Sequence, residues 1–351
     1  MIRRERLKLL RIDSAGFERG PKNSITDIKG VKAGHLTIHK DFKDSSGKKI
    51  FIRTGLTAVV PYDMKEEKRL FAGCFLFRCK NEVTGYEVID DFCYLNSPVV
   101  ISNSYNIGKV YNAILSFGFS LNRTEIWPPV ILGVNDSCLN EMSKSTVNEN
   151  QVLRVLHDAS SDHIEEGSVG IGLGLRAFDW KGGIGTSSRI LSLDNRQFSL
   201  GTLVAANHGN KTNLERQTPK QNINKSELEN GSLTVILATD IPLVPYQIRQ
   251  IVTTLAAGLP SVNIMRNPKD SIACLLFSTA NAMSLENEAP SFFVYSLVSD
   301  SSIEKIVKAG AEVIKEAILR SLLLSTSAQG RLGRRVETIP DKEFKKILKK
   351  F

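Results

Sequence analysis

The apolar and polar positions of this chain fall into segments with distinct periods. Residues 25–38 alternate apolar and polar around two glycines, which predicts strand, turn, strand. Residues 52–61 read as a strand ending at Pro61; residues 71–77 and 99–101 read as further strands, and 130–132 as a short one after Pro128-Pro129. From Gly108 to Phe119 the period becomes helical, with Val110, Ala113, Ile114 and Phe117 on one face. Residues 151–156 form a short helix. Residues 246–258 form an apolar-faced helix stopped by Gly258, and 303–324 a long one burying Ile306, Ala309, Val313, Ile314, Ala317, Ile318 and Leu322. Core strands are expected at 199–206, 233–238, 272–277 and 292–297. In residues 167–175 glycine alternates from Gly170, which predicts close backbone approach within a sheet or at its edge. Residues 211–230 are polar and read as an exposed loop. Strands and helices come in runs rather than strict alternation, so the fold class is α+β, a layered sandwich with helices covering stacked sheets.

With 351 residues and 42% of them hydrophobic, the chain has material for an ample core. The net charge of +9 would suggest a nucleic-acid partner, but its distribution argues against one: +6 lies in residues 1–40, +5 in 331–351, and −2 between them. No apolar run approaches the ~18–20 residues of a membrane span, and the N-terminus lacks a secretory signal pattern. Residues 1–10 are expected to form a solvated basic extension. The five cysteines are too scattered for a disulfide framework or a zinc site, so reduced thiols in a cytoplasmic protein are expected, with no metal and no cofactor.

The strongest chemical signal is Gly231-Ser232, at the junction between the polar stretch and the apolar run from Leu233 to Ala238. If that bond is cut, Ser232 gains a free amine beside its hydroxyl. With a pKa of about 7.7–8.0, such an amine suits a general base near neutral pH. One residue then supplies nucleophile and base. Glycine before it tolerates a strained backbone at the scissile bond. The plain alternative is a turn serine. A Ser/His/Asp arrangement of Ser232 with His208 and Asp240 or Asp136 matches no triad spacing. His35, in a Gly-His strand turn, is expected to be structural. Gly182, Gly183 and Gly185 read as packing glycines, since no Walker spacing follows them.

Several blocks taken together resemble one family, the DmpA-type aminopeptidases, also called the L-aminopeptidase/D-esterase or β-peptidyl aminopeptidase family. They are ITDIKGVKAGHLT (25–37), RTGLTAV (53–59), residues 72–85, KGGIGTSSR (181–189), Asn207-His208-Gly209, NGSLTVILATDIP (230–242) and FSTAN (277–281). The resemblance implies a four-layer αββα sandwich over residues 24–335, with a basic extension at 1–23 and a basic tail at 336–351. It implies self-cleavage between Gly231 and Ser232, giving chains 1–231 and 232–351 that stay together. It further implies a homo-oligomer of such heterodimers and a small peptide or amide substrate. Ser232 would attack the carbonyl, Asn207 would stabilise the oxyanion, and Lys181 would contribute to the site.

Two positions depart from the family pattern. The family's Glu after a Pro-Val-Val strand, suited to a substrate's free amine, is Gly133 here, and an aromatic two positions later is Asn135. Asp136 would replace the lost carboxylate only if a turn brought it back, since a continuing strand sends it to the opposite face. The family's two relay groups before Phe277 fall, without gaps, on Asp270 and Ile272. A one-residue gap puts Ser271 in the acidic slot and a two-residue gap puts Asp270 there. The sequence therefore leads to a serine aminopeptidase or amidase of the N-terminal-nucleophile type. A non-catalytic or weakly active relative acting in binding or assembly is the alternative.

Overall fold

The structure, a computed structural model, describes residues 5–10, 16–122, 128–144, 147–209, 231–259, 270–285 and 291–348. Its strands in chain order are β1 (Lys32–Lys43), β2 (Lys49–Val60), β3 (Lys68–Phe77), β4 (Tyr94–Leu95), β5 (Val99–Asn103), β6 (Val130–Val134), β7 (Arg176–Ala177), β8 (Trp180–Lys181), β9 (Gly183–Leu193), β10 (Arg196–Asn207), β11 (Ser232–Thr239), β12 (Ser271–Ser284), β13 (Ala328–Gln329) and β14 (Arg335–Val336). The helices are α1 (Tyr86–Phe92), α2 (Ile107–Ser120), α3 (Glu149–His157), α4 (Pro245–Gly258), α5 (Asp300–Leu324) and α6 (Asp341–Leu348).

Two sheets carry the architecture: a four-stranded one in the order β1-β2-β5-β6 and a six-stranded one in the order β4-β3-β12-β11-β10-β9. Residues alternate between the two faces of a strand, so each strand of the larger sheet feeds two cores. Ile236, Ala238, Leu203, Ala205, Ala273 and Leu275 join the core shared with the smaller sheet. Leu233, Val235, Leu237, Val204, Ile272 and Cys274 join the core under α4 and α5. On the far side, α2 and α3 cover the smaller sheet with Val110, Ala113, Ile114, Phe117, Val152 and Val155. The layers are therefore helix, sheet, sheet, helix, as the resemblance implies.

The helices begin where local chemistry allows. Asn148 and Gln151 cap α3 reciprocally, each side chain accepting the other's backbone N–H. Pro245 opens α4, where its missing N–H costs nothing. All seven residues assigned to the buried side of the long helix are buried in α5.

Four expectations need correction. Residues 25–27 form a 3₁₀ turn capped by Ser24, not a strand, and the ladder begins only at Lys32. The glycine run 170–174 is also a 3₁₀ turn, although the expected close approach holds: a Cβ on Gly174 would collide with the Arg53 carbonyl and stand 2.7 Å from Asp136 Cβ. Residues 292–297 form no strand. Phe292 is 88% exposed and Val294 98% exposed, and the carbonyls of Ser296 and Val298 are taken by the side chains of Asn281 and Gln247. An apolar run becomes a strand only where a sheet edge is open to it, and among the described residues this one has no ladder partner. The N-terminal extension is not simply solvated. Leu10 and Phe17 are buried in the outer core, and Arg6 donates to the carbonyls of Leu323 and Ile339. The expected loop at 211–230 lies outside the described residues. No described helix is long and apolar enough to cross a membrane.

Candidate active site

Ser232 is the first residue of β11, between β10 and β12. The antiparallel register sets Asn207 opposite Ser232, and the parallel register sets Ser271 beside it. By alternation, Ser232 shares the face of Thr234, Ile236 and Ala238, which looks towards the smaller sheet. Asn207 and Ser271 share that face on their own strands. Three polar side chains thus form one row at the end of three adjacent strands, on the inner side of the sandwich. Ser232 Oγ is buried and has no hydrogen-bond partner among the described residues, which is unusual for a hydroxyl out of water.

The preceding residue is hemmed in. A Cβ on Gly231 would fall on Asp270 Oδ1 and stand 2.9 Å from the Asn207 carbonyl oxygen and from His208 Cα. Gly231 is not among the positive-φ glycines, so space, not backbone handedness, demands glycine here. Its carbonyl oxygen accepts from the Ser271 N–H at 3.0 Å and from the Ser271 hydroxyl at 3.3 Å. Asp270 is buried and accepts from the Gly209 N–H at 2.9 Å. Ile272 lies two residues further on and is buried in the outer apolar core.

Asn207 is oriented from both ends. Its Oδ1 accepts from the Arg176 N–H at 3.1 Å, and its Nδ2 donates to the Asn135 carbonyl at 2.7 Å. Asn135 directly follows β6, so this contact ties the two sheets together at the site. Lys181 stands opposite Arg176 in the small β7–β8 ladder. Its ammonium is fully buried and donates to the carbonyls of Gly172 at 2.7 Å, Leu175 at 2.9 Å and Gly182 at 2.6 Å. Burial lowers its pKa to about 7. Lys181 thus pins the glycine-rich turn that carries Arg176, and through it bears on Asn207.

Asp136 is sealed inside the smaller sheet and accepts from Thr54 and Asn103 at 2.5 Å and from Asn140 at 3.0 Å. Burial raises its pKa to about 6, against the pull of those three donors. Neither ring nitrogen of His208 has a partner among the described residues; the ring stands edge-on to Phe178 at 5.0 Å, and burial lowers its pKa to about 3. Asp240 sits just past the opposite end of β11 and accepts from the Ser199 N–H. No Ser232–His208–acid arrangement exists among these residues. His35 bonds Thr57 at 2.9 Å within the β1–β2 ladder.

A cleft of about 890 Å³ opens beside Asn135, lined among others by Glu82, Ser104, Tyr105, Glu141 and Arg331. Glu141 pairs with Arg331 at 3.4 Å, whereas Glu82 makes no ion pair with any described residue. Residue 82 also explains Gly133. The Glu82 carbonyl accepts the Gly133 N–H at 2.8 Å, and a Cβ on Gly133 would stand 2.7 Å from that oxygen. A side chain at 133 would displace this backbone. Glu82 and the backbone groups of Arg176 and Asn135 escaped sequence reasoning. Main-chain donors and acceptors leave no trace in residue type, and Glu82 belongs to no periodic segment.

The profile of Peptidase family S58 matches residues 23–336. The chain belongs to that family. Family S58 membership makes it a peptide hydrolase. The β-peptidyl aminopeptidase BapA of Sphingosinicella microcystinivorans is 27% identical to it over 95% of this chain and 89% of the relative. The β-aminopeptidase of a Burkholderia species superposes with a TM-score of 0.84 at 28% identity, covering 96% of each chain. The L-aminopeptidase D-Ala-esterase/amidase of Ochrobactrum anthropi does so with 0.82 at 28% identity, covering 95% of each; it is described as a variant of the Ntn hydrolase fold. This S58 chain has that fold.

Proposed function

We propose that this S58 member is a self-processing serine aminopeptidase or amidase, cut between Gly231 and Ser232. The observation that carries the reading is the buried Ser232 hydroxyl at the head of β11, without a hydrogen-bond partner among the described residues and next to a Gly231 carbonyl that already holds two donors. After the cut, the Ser232 amine takes the proton from its own hydroxyl, as its pKa near neutrality suits. The oxygen adds to the carbonyl of a small peptide or amide. The second N–H of Asn207 Nδ2, beyond the one donated to Asn135, faces the developing oxyanion. The leaving amine departs protonated, and water releases the acid from the acyl-serine. Asp270 and Ser271 flank the route for the proton, and Lys181 positions Asn207 through Arg176.

Intact-mass measurement with N-terminal sequencing of the purified protein tests the reading. The expected result is two fragments, 1–231 and 232–351, the second beginning at Ser232, and a single uncut chain for Ser232→Ala. A wild-type chain that stays whole for days, or a Ser232→Ala chain that is still cut there, removes the assignment.

A further inference from the structure

One residue supplies both hydrogen bonds to the Gly231 carbonyl oxygen. The Ser271 N–H reaches it at 3.0 Å and the Ser271 hydroxyl at 3.3 Å. The first bond belongs to the sheet. In a parallel ladder the N–H of one residue goes to the carbonyl preceding its partner, and Ser271 is the partner of Ser232. The opening rung of the β11–β12 ladder therefore ends on the carbonyl next to the candidate nucleophile. The second bond comes from the side chain and shares the same oxygen. In the uncut chain Asn207 donates to the Asn135 carbonyl and accepts from the Arg176 N–H, and it donates no hydrogen bond to the Gly231 oxygen. Asp270 already accepts from Gly209.

We propose that Ser271 is a catalytic residue of the self-cutting step, its N–H and hydroxyl together forming the oxyanion pocket for the Gly231 carbonyl. Ser232 Oγ adds to the Gly231 carbonyl carbon, and the C=O electron pair moves onto the oxygen held by Ser271. Collapse of this intermediate breaks the Gly231–Ser232 C–N bond. The proton lost by the hydroxyl ends on the departing nitrogen, leaving Gly231 as an ester on Ser232 Oγ beside a free amine. Water then adds to the same carbonyl, again against Ser271, and leaves a Gly231 carboxyl group and a free Ser232 hydroxyl. The inference rests on Gly231–Ser232 being the cut bond, and it separates the donors of the two reactions: Ser271 serves processing, Asn207 serves the external substrate.

The test is the rate at which freshly synthesised full-length chain becomes fragments 1–231 and 232–351, followed by intact mass. Ser271→Ala keeps the N–H and loses the hydroxyl, so cutting should slow about 100-fold rather than stop. Ser271→Thr restores a hydroxyl and should recover most of the rate, a rescue that a purely structural serine would not produce. A folded Ser271→Ala chain that cuts as fast as wild type overturns the proposal while leaving self-processing intact. So does a Ser271→Thr chain no faster than Ser271→Ala. If Ser271→Ala fails to fold, Ser271→Cys keeps the volume with a weaker donor, and cutting at the wild-type rate overturns the proposal equally. A wild-type chain never cut before Ser232 removes the underlying reading along with it.

Discussion

At the scale of single residues, the site combines groups whose chemistry depends on being out of water. Two of them titrate in opposite senses. His208 has its pKa lowered to about 3, so between there and 6.5 the unfolded chain binds more protons and stability rises with pH. Asp136 has its pKa raised to about 6, so between 3.8 and there the folded chain binds more protons and stability falls with pH. The two slopes, each at most about 1.4 kcal/mol per pH unit, nearly cancel between pH 4 and 6. Denaturant titrations of the Ser232→Ala chain should therefore show little pH dependence from this pair. Adding Asp136→Asn should steepen the rise with pH, and adding His208→Leu should reverse it. Parallel pH profiles for all three chains would refute both assignments. Glu82 belongs to the same scale. It lines the cleft beside Asn135 without an ion pair among the described residues, so a substrate's free amine is expected to pair with it there. Glu82→Gln should raise KM about tenfold for a free-amine peptide, in line with loss of a charged hydrogen bond, and leave an N-acetylated one unchanged. Equal effects on both substrates would remove that role.

At the scale of elements, the six-stranded sheet is held to α5 by buried charge. Arg189 on β9 pairs at 2.6 Å with both Glu312 and Glu316 of α5, while Arg320 pairs with Glu166. Burial pushes the Glu316 carboxyl up, but the Arg189 charge and hydrogen bond outweigh it and hold the pKa below the usual range. Its contribution is therefore present above the unfolded pKa and lost as pH falls through the folded one. Arg189→Met takes away the guanidinium shared by two buried carboxylates, of which Glu316 keeps Arg19 and Asn23, and should cost about 3 kcal/mol in denaturant unfolding. The triple change Arg189→Met, Glu312→Gln, Glu316→Gln should recover much of that loss. A single change costing under ~1 kcal/mol would show the pairs to be dispensable. None of this was legible beforehand: Arg189 was visible only as the last residue of a motif, and its partners lie 123 and 127 residues away. The helices themselves were legible because a 3.6-residue period is local. The missing strand at 292–297 was not, because a strand exists only by virtue of its neighbour.

At the scale of the whole molecule, the sandwich brings the ends of β10, β11 and β12 against the loop after β6. Described segments near both ends of the chain fasten onto its outer layer. Phe344 and Ile347 of α6 are buried in the core beneath α4 and α5, and Arg6 bonds Asp341 and the chain around it. These residues lie outside the span matched by the family profile. Truncation after Val336 would remove both side chains, each worth about 1.5–3 kcal/mol of burial, and should lower Tm by several degrees. An unchanged Tm would show that α6 adds nothing to the core.

The sequence by itself determined the period of each long element, the α+β class and the Gly231-Ser232 pair, because these depend on neighbours along the chain. It also put Gly133, and in the ungapped reading Ile272, where the resemblance implies carboxylates. Only the tertiary structure decided what surrounds those positions. It set the Glu82 backbone where a side chain at 133 would stand, and placed Ile272 on the apolar face of β12. Among the described residues it gave the His208 ring no hydrogen-bond partner, and it sealed Asp136 away from the cleft. Above all, the parallel register of β11 and β12 aimed a main-chain N–H and a hydroxyl from Ser271 at the Gly231 carbonyl. Residue type cannot announce such a contact. It follows from which strands are neighbours and from the direction in which they run.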